Sequence, residues 1–479
     1  MQDWHKEMTV MMKYDYKSLM STKRERISSV NRESAINEFY SDRSRIIYCS
    51  AFRRLQQKAQ VFSLEPNASV RTRLTHSLEV SDLGRTIANR IENILLRENI
   101  ISVRNVPCIV SIVENACLLH DIGNPPFGHF GETAIKEWAK TCIDTALPSN
   151  IDQNDLLLLL IKDFQEFDGN PQGFRTVTKL YTEHDKHSLN LTYATLLCCL
   201  KYARAAGEDK GEGILKKAGY FQSEKKVVEK IWNTVGVAPH HRYPLTYLME
   251  AADDIAYCMS DIADGIEKNI LSEEDFYKTF LEEWEAVYGE EKVPVELPKE
   301  YKGFNRDISI PWSKFVMDYA VDNFFNHHEK FYEGSAPELI QKDSQAGKLL
   351  NVVKRVSRKR LYTSIQAESI ELTGYAVITG ILQSYEKMLL MPYDKFLALV
   401  NHQEIDNVEV ERRLFNRIGA RYVDAYKYAL EEYSSTSSDF SVYEWCLRTH
   451  MLIDHISGMT DEFALETYQM MKGISLMRT

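Results

Sequence analysis

Two adjacent residues, His120 and Asp121, have side chains that could act together in catalysis or in metal binding. They follow the apolar segment 109–119 and precede a break that contains Gly123 and Pro125. An imidazole beside a carboxylate at a buried helix end costs free energy unless it is paired or bound to a metal. In isolation, such a pair is more often a histidine capped by its neighbour. Other parts of the sequence are needed to distinguish this interpretation from a catalytic or metal-binding role.

A second group of polar residues lies in an otherwise apolar stretch. Asp253, Tyr257 and Asp261 recur at four-residue steps. On a helix they would share one face over about 12 Å. Such a stripe suits a metal at one end and a sugar-sized ligand further along. The spacing alone does not decide between Asp253 and Asp254 as a ligand.

Apolar residues recur at three- and four-residue steps along much of the chain, which favours helices. One such segment, 77–96, follows directly after Arg73 and His76. We predict further helices at 109–119, 189–205, 244–270, 273–287, 312–332, 360–390, 408–433 and 460–472. Alternating patterns are rare, with 293–297 the best strand candidate, so the predicted fold class is all-α with little β.

Segments rich in Gly and Pro interrupt the helical pattern, among them 124–131 and 168–173. None of them has the length and composition of a flexible linker, and no repeat of fixed period is present. We therefore predict that residues 1–479 form a single enlarged helical domain.

The overall charge is acidic, with 58 Lys and Arg against 69 Asp and Glu, a formal net charge of −11. This argues against a bulk nucleic-acid coat and against a polybasic membrane binder. The balance is reversed locally, because residues 43–73 hold seven basic side chains and one carboxylate. An anionic ligand must therefore be met by a local basic site or by a metal.

Membrane insertion and export are not expected. The longest purely apolar run is 156–161, whereas a spanning helix needs roughly 20 residues. The first residues contain no apolar signal core. None of the eight cysteines forms a CxxC pair, which is typical of free thiols in a reducing cytosol. We expect a cytoplasmic protein with no membrane partner.

Several blocks resemble the dGTP triphosphohydrolase (dGTPase) branch of the HD-domain phosphohydrolases. They are RRLQQKAQVF (53–62), RTRLTHSLEV (71–80), LLHDIGNPPFGHFGE (118–132), GNPQGFR (169–175), GYFQSE (219–224) and LMEAADDIAYCMSD (248–261). The resemblance implies an HD-type helical bundle with a catalytic core at about 40–270. Residues 290–479 would be a helical extension that completes the nucleotide pocket and makes oligomer contacts.

The resemblance also implies the chemistry, which is hydrolysis of dGTP to deoxyguanosine and inorganic triphosphate and control of dNTP pools. The implied metal ligands are His76, His120, Asp121 and Asp253. This mixed nitrogen and oxygen set suits Mn²⁺ or Mg²⁺, with Fe²⁺ and Co²⁺ as alternatives. His129 and Glu132 would form a catalytic pair, in which one of them positions the water or protonates the leaving oxygen.

Substrate contacts are expected from several segments. Arg73 lies about one turn before His76, so its guanidinium could bind a phosphate group through two hydrogen bonds. The further candidates are Asn170, Lys201 and Lys217 for phosphate, and Gln60, Val61, Tyr257 and Asp261 for sugar and base. Tyr257 would exclude a 2′-hydroxyl and Asp261 would accept from the 3′-hydroxyl. Glu371 and an arginine in 412–421 are candidates for guanine.

Other interpretations stay open. The chain could be a broader dNTP triphosphohydrolase, another HD phosphohydrolase such as a nucleotidase, or a nucleotide- or DNA-responsive regulator. A second basic run is either a solvated helix face or a groove for a nucleotide or single-stranded DNA effector; it consists of Lys354, Arg355, Arg358, Lys359 and Arg360, with Tyr362 nearby. The resemblance further implies a homo-oligomer, with a hexamer as one candidate.

Overall fold

The computed structural model describes residues 14–182, 185–298, 303–433 and 437–474. Over these residues the chain folds into 22 α-helices. The first eleven are α1 (Tyr16–Leu19), α2 (Ala35–Tyr48), α3 (Ser50–Arg54), α4 (Arg73–Arg97), α5 (Cys108–Leu119), α6 (Gly128–Ala146), α7 (Asp155–Leu160), α8 (Lys162–Gln165), α9 (Gly169–Lys179), α10 (Tyr193–Cys199) and α11 (Lys225–Val235).

The remaining helices are α12 (Thr246–Glu267), α13 (Glu273–Tyr288), α14 (Ile310–Asn326), α15 (His328–Tyr332), α16 (Gln345–Ser357), α17 (Ile365–Leu389), α18 (Tyr393–Val400), α19 (Glu409–Phe415), α20 (Ala420–Leu430), α21 (Phe440–Ser457) and α22 (Asp461–Met471). Short 3₁₀ turns occur at Leu55–Gln57, Val103–Asn105, Gly213–Leu215 and Gln222–Glu224, and single π turns at Asn305–Ser309 and Arg358–Tyr362. The all-α prediction is confirmed.

Helix α5 lies at the centre of the part of the fold that carries His120. All of its residues are buried, including the polar Ser111, Glu114 and Asn115, as expected for a helix surrounded by others. It packs against α2, α4 and α10, and α4 in turn packs against α12. The start of α4 is defined by Thr72, which forms a capping box with Thr75. Three long helices therefore meet where the polar motifs lie.

A second group of helices lies on the other side of the segment that connects α5 with α6. Helix α6 packs against α17, and α17 also contacts α21 and α22. Their apolar side chains form a hydrophobic cluster separate from the one around α5. The segment between α5 and α6 runs between the two clusters. It approaches α9 closely, since a Cβ on Gly123 would overlap the backbone at Gly169 and Gly173.

Some expected elements differ from the structure. The predicted helix 189–205 is reduced to α10, because the buried Arg204 donates to the carbonyls of Ala205, Glu208 and Leu215 and holds the following chain in a non-helical path. The predicted helix 408–433 is divided into α19 and α20.

The predicted strand at 293–297 is absent, and the β-pairing among the described residues consists of two isolated bridges. Two predicted breaks are helix starts, since α6 begins within 124–131 and α9 within 168–173. None of the helices in the described ranges combines the length and apolarity needed to cross a bilayer. All eight cysteines are unpaired.

Candidate active site

The four predicted metal ligands come from three helices and converge on one point. His76 lies in the first turn of α4, His120 and Asp121 directly follow α5, and Asp253 lies on α12. One ligand atom each from His76, His120 and Asp121 lies within 4.8 Å of the others. The Oδ1 atom of Asp253 is 3.5 Å from Nε2 of His76 and 3.5 Å from Nε2 of His120.

The imidazole nitrogens that face Asp253, one on each histidine, lack hydrogen-bond partners among the described residues. Nε2 of both His76 and His120 is buried and unpaired. Leaving a buried polar atom unpaired typically costs about 1–3 kcal/mol, which a coordinated cation would offset. Nδ1 of His120 is 2.8 Å from the carbonyl oxygen of Cys117, an outer contact that orients the ring. The donor set therefore fits a divalent cation.

The two carboxylates are held in their charged forms. Burial raises the pKa of Asp121, but Arg73, His120 and His76 outweigh it and bring the pKa to about 2. Burial also opposes ionisation of Asp253, where Lys201 and the two imidazoles prevail and hold the pKa well below its usual value. Carboxylate oxygens together with imidazole nitrogens are the ligands that Mn²⁺ and related cations accept.

The structure distinguishes the two neighbouring aspartates. Asp253 faces the imidazoles, whereas Oδ1 of Asp254 is 2.7 Å from Nζ of Lys354. Lys201, a candidate for phosphate, donates to Oδ2 of Asp253 at 3.2 Å. Asp253 is thus the aspartate that lies with the other ligands.

His129 and Glu132 lie among the first five residues of α6. Nδ1 of His129 is 3.0 Å from Oε2 of Glu132, and the imidazole side chain is 73 % exposed. Glu132 is buried, and its other oxygen accepts from the backbone N–H of Gly169 at 2.8 Å. A carboxylate fixed in this way can orient the imidazole and favour one tautomer.

A cleft of about 600 Å³ connects the metal ligands with this pair. Eight predicted site residues line it: Gln60, Val61, Arg73, Asp121, His129, Asp253, Tyr257 and Glu371. The guanidinium of Arg73 donates to Oδ2 of Asp121 at 2.7 Å and lies against Gly128, where a side chain would collide with it. Arg73 therefore faces the cleft next to the ligand group.

Lys354 and Tyr362 also line the cleft, although the sequence suggested them only as part of a basic run. Lys354 lies on α16 and Tyr362 in the π turn that follows, so both are more than 100 residues beyond the start of α12 in sequence. Three other basic residues of this run pair with carboxylates, Arg355 and Lys359 with Glu283 and Arg360 with Asp275. Those pairs favour the interpretation of a solvated helix face.

Asp261 does not line the cleft, because Tyr362 lies in front of it. The Tyr362 hydroxyl donates to Oδ2 of Asp261 and is 2.5 Å from the Tyr257 hydroxyl. Asp261 is fully buried, and burial raises its pKa to about 7 even though the hydrogen bond from Tyr362 opposes the shift. In this conformation a 3′-hydroxyl would meet the two tyrosines before Asp261.

Asn170 and Lys217 lie beside the cleft rather than on its wall. Both side chains donate to Asp168, at 2.6 Å in each case. Asp168 also accepts from the backbone of Asn170 at the start of α9, next to the amide that binds Glu132. The arginines in 412–421 include Arg413, which pairs with Glu409, and none of them lines the cleft in the described residues.

Of the seven basic side chains in 43–73, Arg73 is the one that lines the cleft in the described structure. The others contact protein groups; for example, Arg71 pairs with Glu79 and Asp264, and Lys58 donates to two carbonyls. Most of the basic side chains in 43–73 therefore pair with other protein groups and do not face the cleft.

Comparison with known proteins agrees with this geometry. The HD domain family model matches residues 73–222, a range that includes His76, His120 and Asp121 and ends before Asp253. An HD domain implies a divalent metal.

Curated relatives match nearly the whole chain. The deoxyguanosinetriphosphate triphosphohydrolase of Yersinia pseudotuberculosis serotype O:3 (strain YPIII) is 35 % identical over 95 % of this chain and 98 % of its own length. The proteins of the same name from Enterobacter sp. (strain 638) and Serratia proteamaculans (strain 568) are each 34 % identical, over 93 % and 95 % of this chain and 96 % and 98 % of their own lengths. The chain therefore belongs to the deoxyguanosinetriphosphate triphosphohydrolase family of HD-domain proteins.

Proposed function

We propose that this protein hydrolyses dGTP to deoxyguanosine and inorganic triphosphate with the help of a divalent cation. One observation carries the proposal: the His76, His120, Asp121 and Asp253 group opens into the same cleft as the His129–Glu132 pair. A family member that had lost its catalytic activity would have no physical need to keep both the ligand group and the His129–Glu132 pair. Mn²⁺ or Mg²⁺ is the proposed cation, with Fe²⁺ and Co²⁺ as alternatives.

The four ligand side chains would hold the cation between α4, α5 and α12. When bound, a divalent cation supplies charge for phosphate oxygens and lowers the pKa of a coordinated water. Arg73 would bind a phosphate oxygen beside it, because its guanidinium already lies over Asp121. Lys354 lies on the same wall and would bind the phosphate chain.

His129 would hold or move a proton during attack at the α-phosphorus. Its Nδ1 faces Glu132, so Nε2 is the nitrogen available to the water or to the departing 5′-oxygen. Glu132 is anchored by the Gly169 amide and keeps the ring in this orientation. The geometry supports both roles for His129.

Tyr257 and Tyr362 would select the sugar. Their hydroxyls lie 2.5 Å apart, both residues line the cleft, and the Tyr362 hydroxyl donates to the buried Asp261. We expect Tyr257→Ala to raise kcat/KM for GTP by about tenfold relative to dGTP, because space opens at the 2′ carbon. Steady-state kinetics with both nucleotides measures the ratio.

Tyr257→Phe is the matched control for this change. It keeps the ring and removes only the hydroxyl, so GTP should stay excluded. An unchanged GTP:dGTP ratio in Tyr257→Ala would remove Tyr257 from sugar selection.

A broader dNTP triphosphohydrolase is the second candidate. Of the residues predicted for guanine, Glu371 lines the cleft and the arginines in 412–421 do not. The described wall therefore offers the Glu371 carboxylate as an acceptor for the guanine N–H groups, but none of the arginines in 412–421 as a donor for its carbonyl. This observation favours weaker base selection than a complete guanine site would give.

The substrate panel tests both candidates. The protein is incubated with Mn²⁺ and, separately, with dGTP, dATP, dCTP, dTTP and GTP, and products are separated by ion-exchange chromatography. Turnover of dGTP at least about tenfold faster than the others supports the leading proposal. Similar rates for all four dNTPs support the second candidate, and no turnover of any would contradict both.

The second half of the chain is proposed to complete this pocket, because Tyr362, Ile370 and Glu371 line it. The single domain over 1–479, the homo-oligomer, the nucleotide or single-stranded DNA effector and the cytoplasmic location stay predictions.

A further inference from the structure

A buried carboxylate at the start of α22 joins two segments that border the cleft. Asp461 is 3 % exposed. One of its oxygens accepts from the backbone N–H of Phe127 at 3.0 Å, and the other accepts from the N–H of Ala59 at 3.1 Å. These partners lie 334 and 402 residues away in sequence. A single side chain thus connects three distant parts of the chain.

Both partners adjoin residues of the proposed active site. Phe127 stands two residues before His129, at the point where α6 begins. Ala59 is followed directly by Gln60 and Val61, which line the cleft. A shift of either backbone amide would therefore move a side chain proposed to act on the substrate.

The backbone of Phe127 needs outside support. Its φ is 59°, in the left-handed region that residues with a side chain rarely adopt. The hydrogen bond to Asp461 satisfies its N–H, and its ring packs on Gly374 of α17, where a Cβ would overlap it. Tertiary contacts therefore impose the conformation from which α6 and His129 start.

Lys58 makes a second connection at the same place. Its buried ammonium donates to the carbonyl oxygens of Asn124 at 2.5 Å and Ser457 at 2.7 Å. The negative charge of Asp461 offsets part of the cost of burying this ammonium. Residues 58–59 are thus bound to the end of α21 and the start of α22, and Phe127 is bound to the start of α22.

We propose that Asp461 is a positioning residue, which holds His129 and the segment 59–61 in register with the metal ligands through the amides of Phe127 and Ala59. Asp461 does not itself line the cleft in the described structure. The expected loss of dGTP turnover rests on the proposed function. The expected change in backbone hydrogen exchange does not.

Asp461→Asn tests the proposal, because one amide oxygen replaces two carboxylate oxygens and at most one N–H bond survives. We expect kcat for dGTP to fall by roughly 10–100-fold, as misplacement of a catalytic group does. Mn²⁺ affinity measured by calorimetry should stay within about twofold, since the four ligands lie on or beside α4, α5 and α12. Amide hydrogen exchange should become faster in peptides covering 122–133.

Glu462→Gln is the matched control, an exposed neighbour that undergoes the same chemical change. It should alter none of these readouts. Gly374→Ala provides a second variant in case Asp461→Asn folds poorly, because its added methyl group would overlap Phe127 and displace it. It should also lower kcat and accelerate exchange in 122–133.

A double-mutant cycle separates positioning from general destabilisation. If Asp461 acts through His129, then adding Asp461→Asn to His129→Ala should cost less than about threefold further. If the loss of kcat in the double mutant equals the product of the losses in the two single mutants, the proposal is contradicted. So would unchanged exchange in 122–133, whatever the kinetics. If the wild-type protein hydrolyses no dNTP, the proposed function fails while the exchange experiment still decides the role of Asp461.

Discussion

Replacing Asp253 with alanine is expected to abolish tight binding of the divalent cation and to lower kcat for dGTP by roughly 10³-fold or more. The carboxylate lies 3.5 Å from Nε2 of both His76 and His120, so its removal opens the ligand group. It also leaves the ammonium of Lys201 without its partner, next to the position of the cation. Calorimetry with Mn²⁺ and single-turnover hydrolysis measure the two effects.

Asp254→Ala is the matched control, because it removes the same group one residue further along α12. Asp254 pairs with Lys354 at 2.7 Å and is partly exposed, so its loss should change cation affinity by no more than about threefold. Equal losses of cation affinity in the two variants would show that the ligand is not Asp253 alone.

His129→Ala is expected to lower kcat for dGTP by about 10²–10⁴-fold, the usual contribution of a general acid or base. Cation affinity should be retained, since His129 pairs with Glu132 and stands apart from the ligand group. This combination of lost turnover and retained binding separates His129 from the metal ligands. Single-turnover hydrolysis and calorimetry on the same preparation provide both values.

Thr133→Ala serves as the control for the beginning of α6. Its hydroxyl donates to the carbonyl oxygen of His129, and Thr133 does not line the cleft in the described structure. We expect kcat to change by less than about twofold. If His129→Ala keeps more than a tenth of the wild-type kcat, the catalytic role of the His129–Glu132 pair is wrong.

The ligand group could be predicted from sequence because its residues stand in blocks that resemble a known family. Helix periodicity places Asp253 and Tyr257 on one face of α12, but it does not bring His76, His120 and Asp253, on or beside three different helices, to one point. The structure adds the choice between Asp253 and Asp254, which depends on Lys354 of another helix.

Contacts between distant segments could not be predicted in this way. Asp261 has the right spacing on α12, but Tyr362 reaches over from the turn after α16 and covers it. Asp461 carries no motif, and its partners lie more than 300 residues away. Residues 189–205 have helical periodicity, yet the buried Arg204 draws the chain into another path.

Isotopic labelling of the products tests the central claim most directly. The protein, Mn²⁺ and dGTP react in H₂¹⁸O, and mass spectrometry locates the heavy oxygen. Attack by water on the α-phosphorus predicts unlabelled deoxyguanosine and inorganic triphosphate that carries one ¹⁸O per molecule. Formation of dGMP with pyrophosphate, of dGDP with phosphate, or of labelled deoxyguanosine would contradict the account.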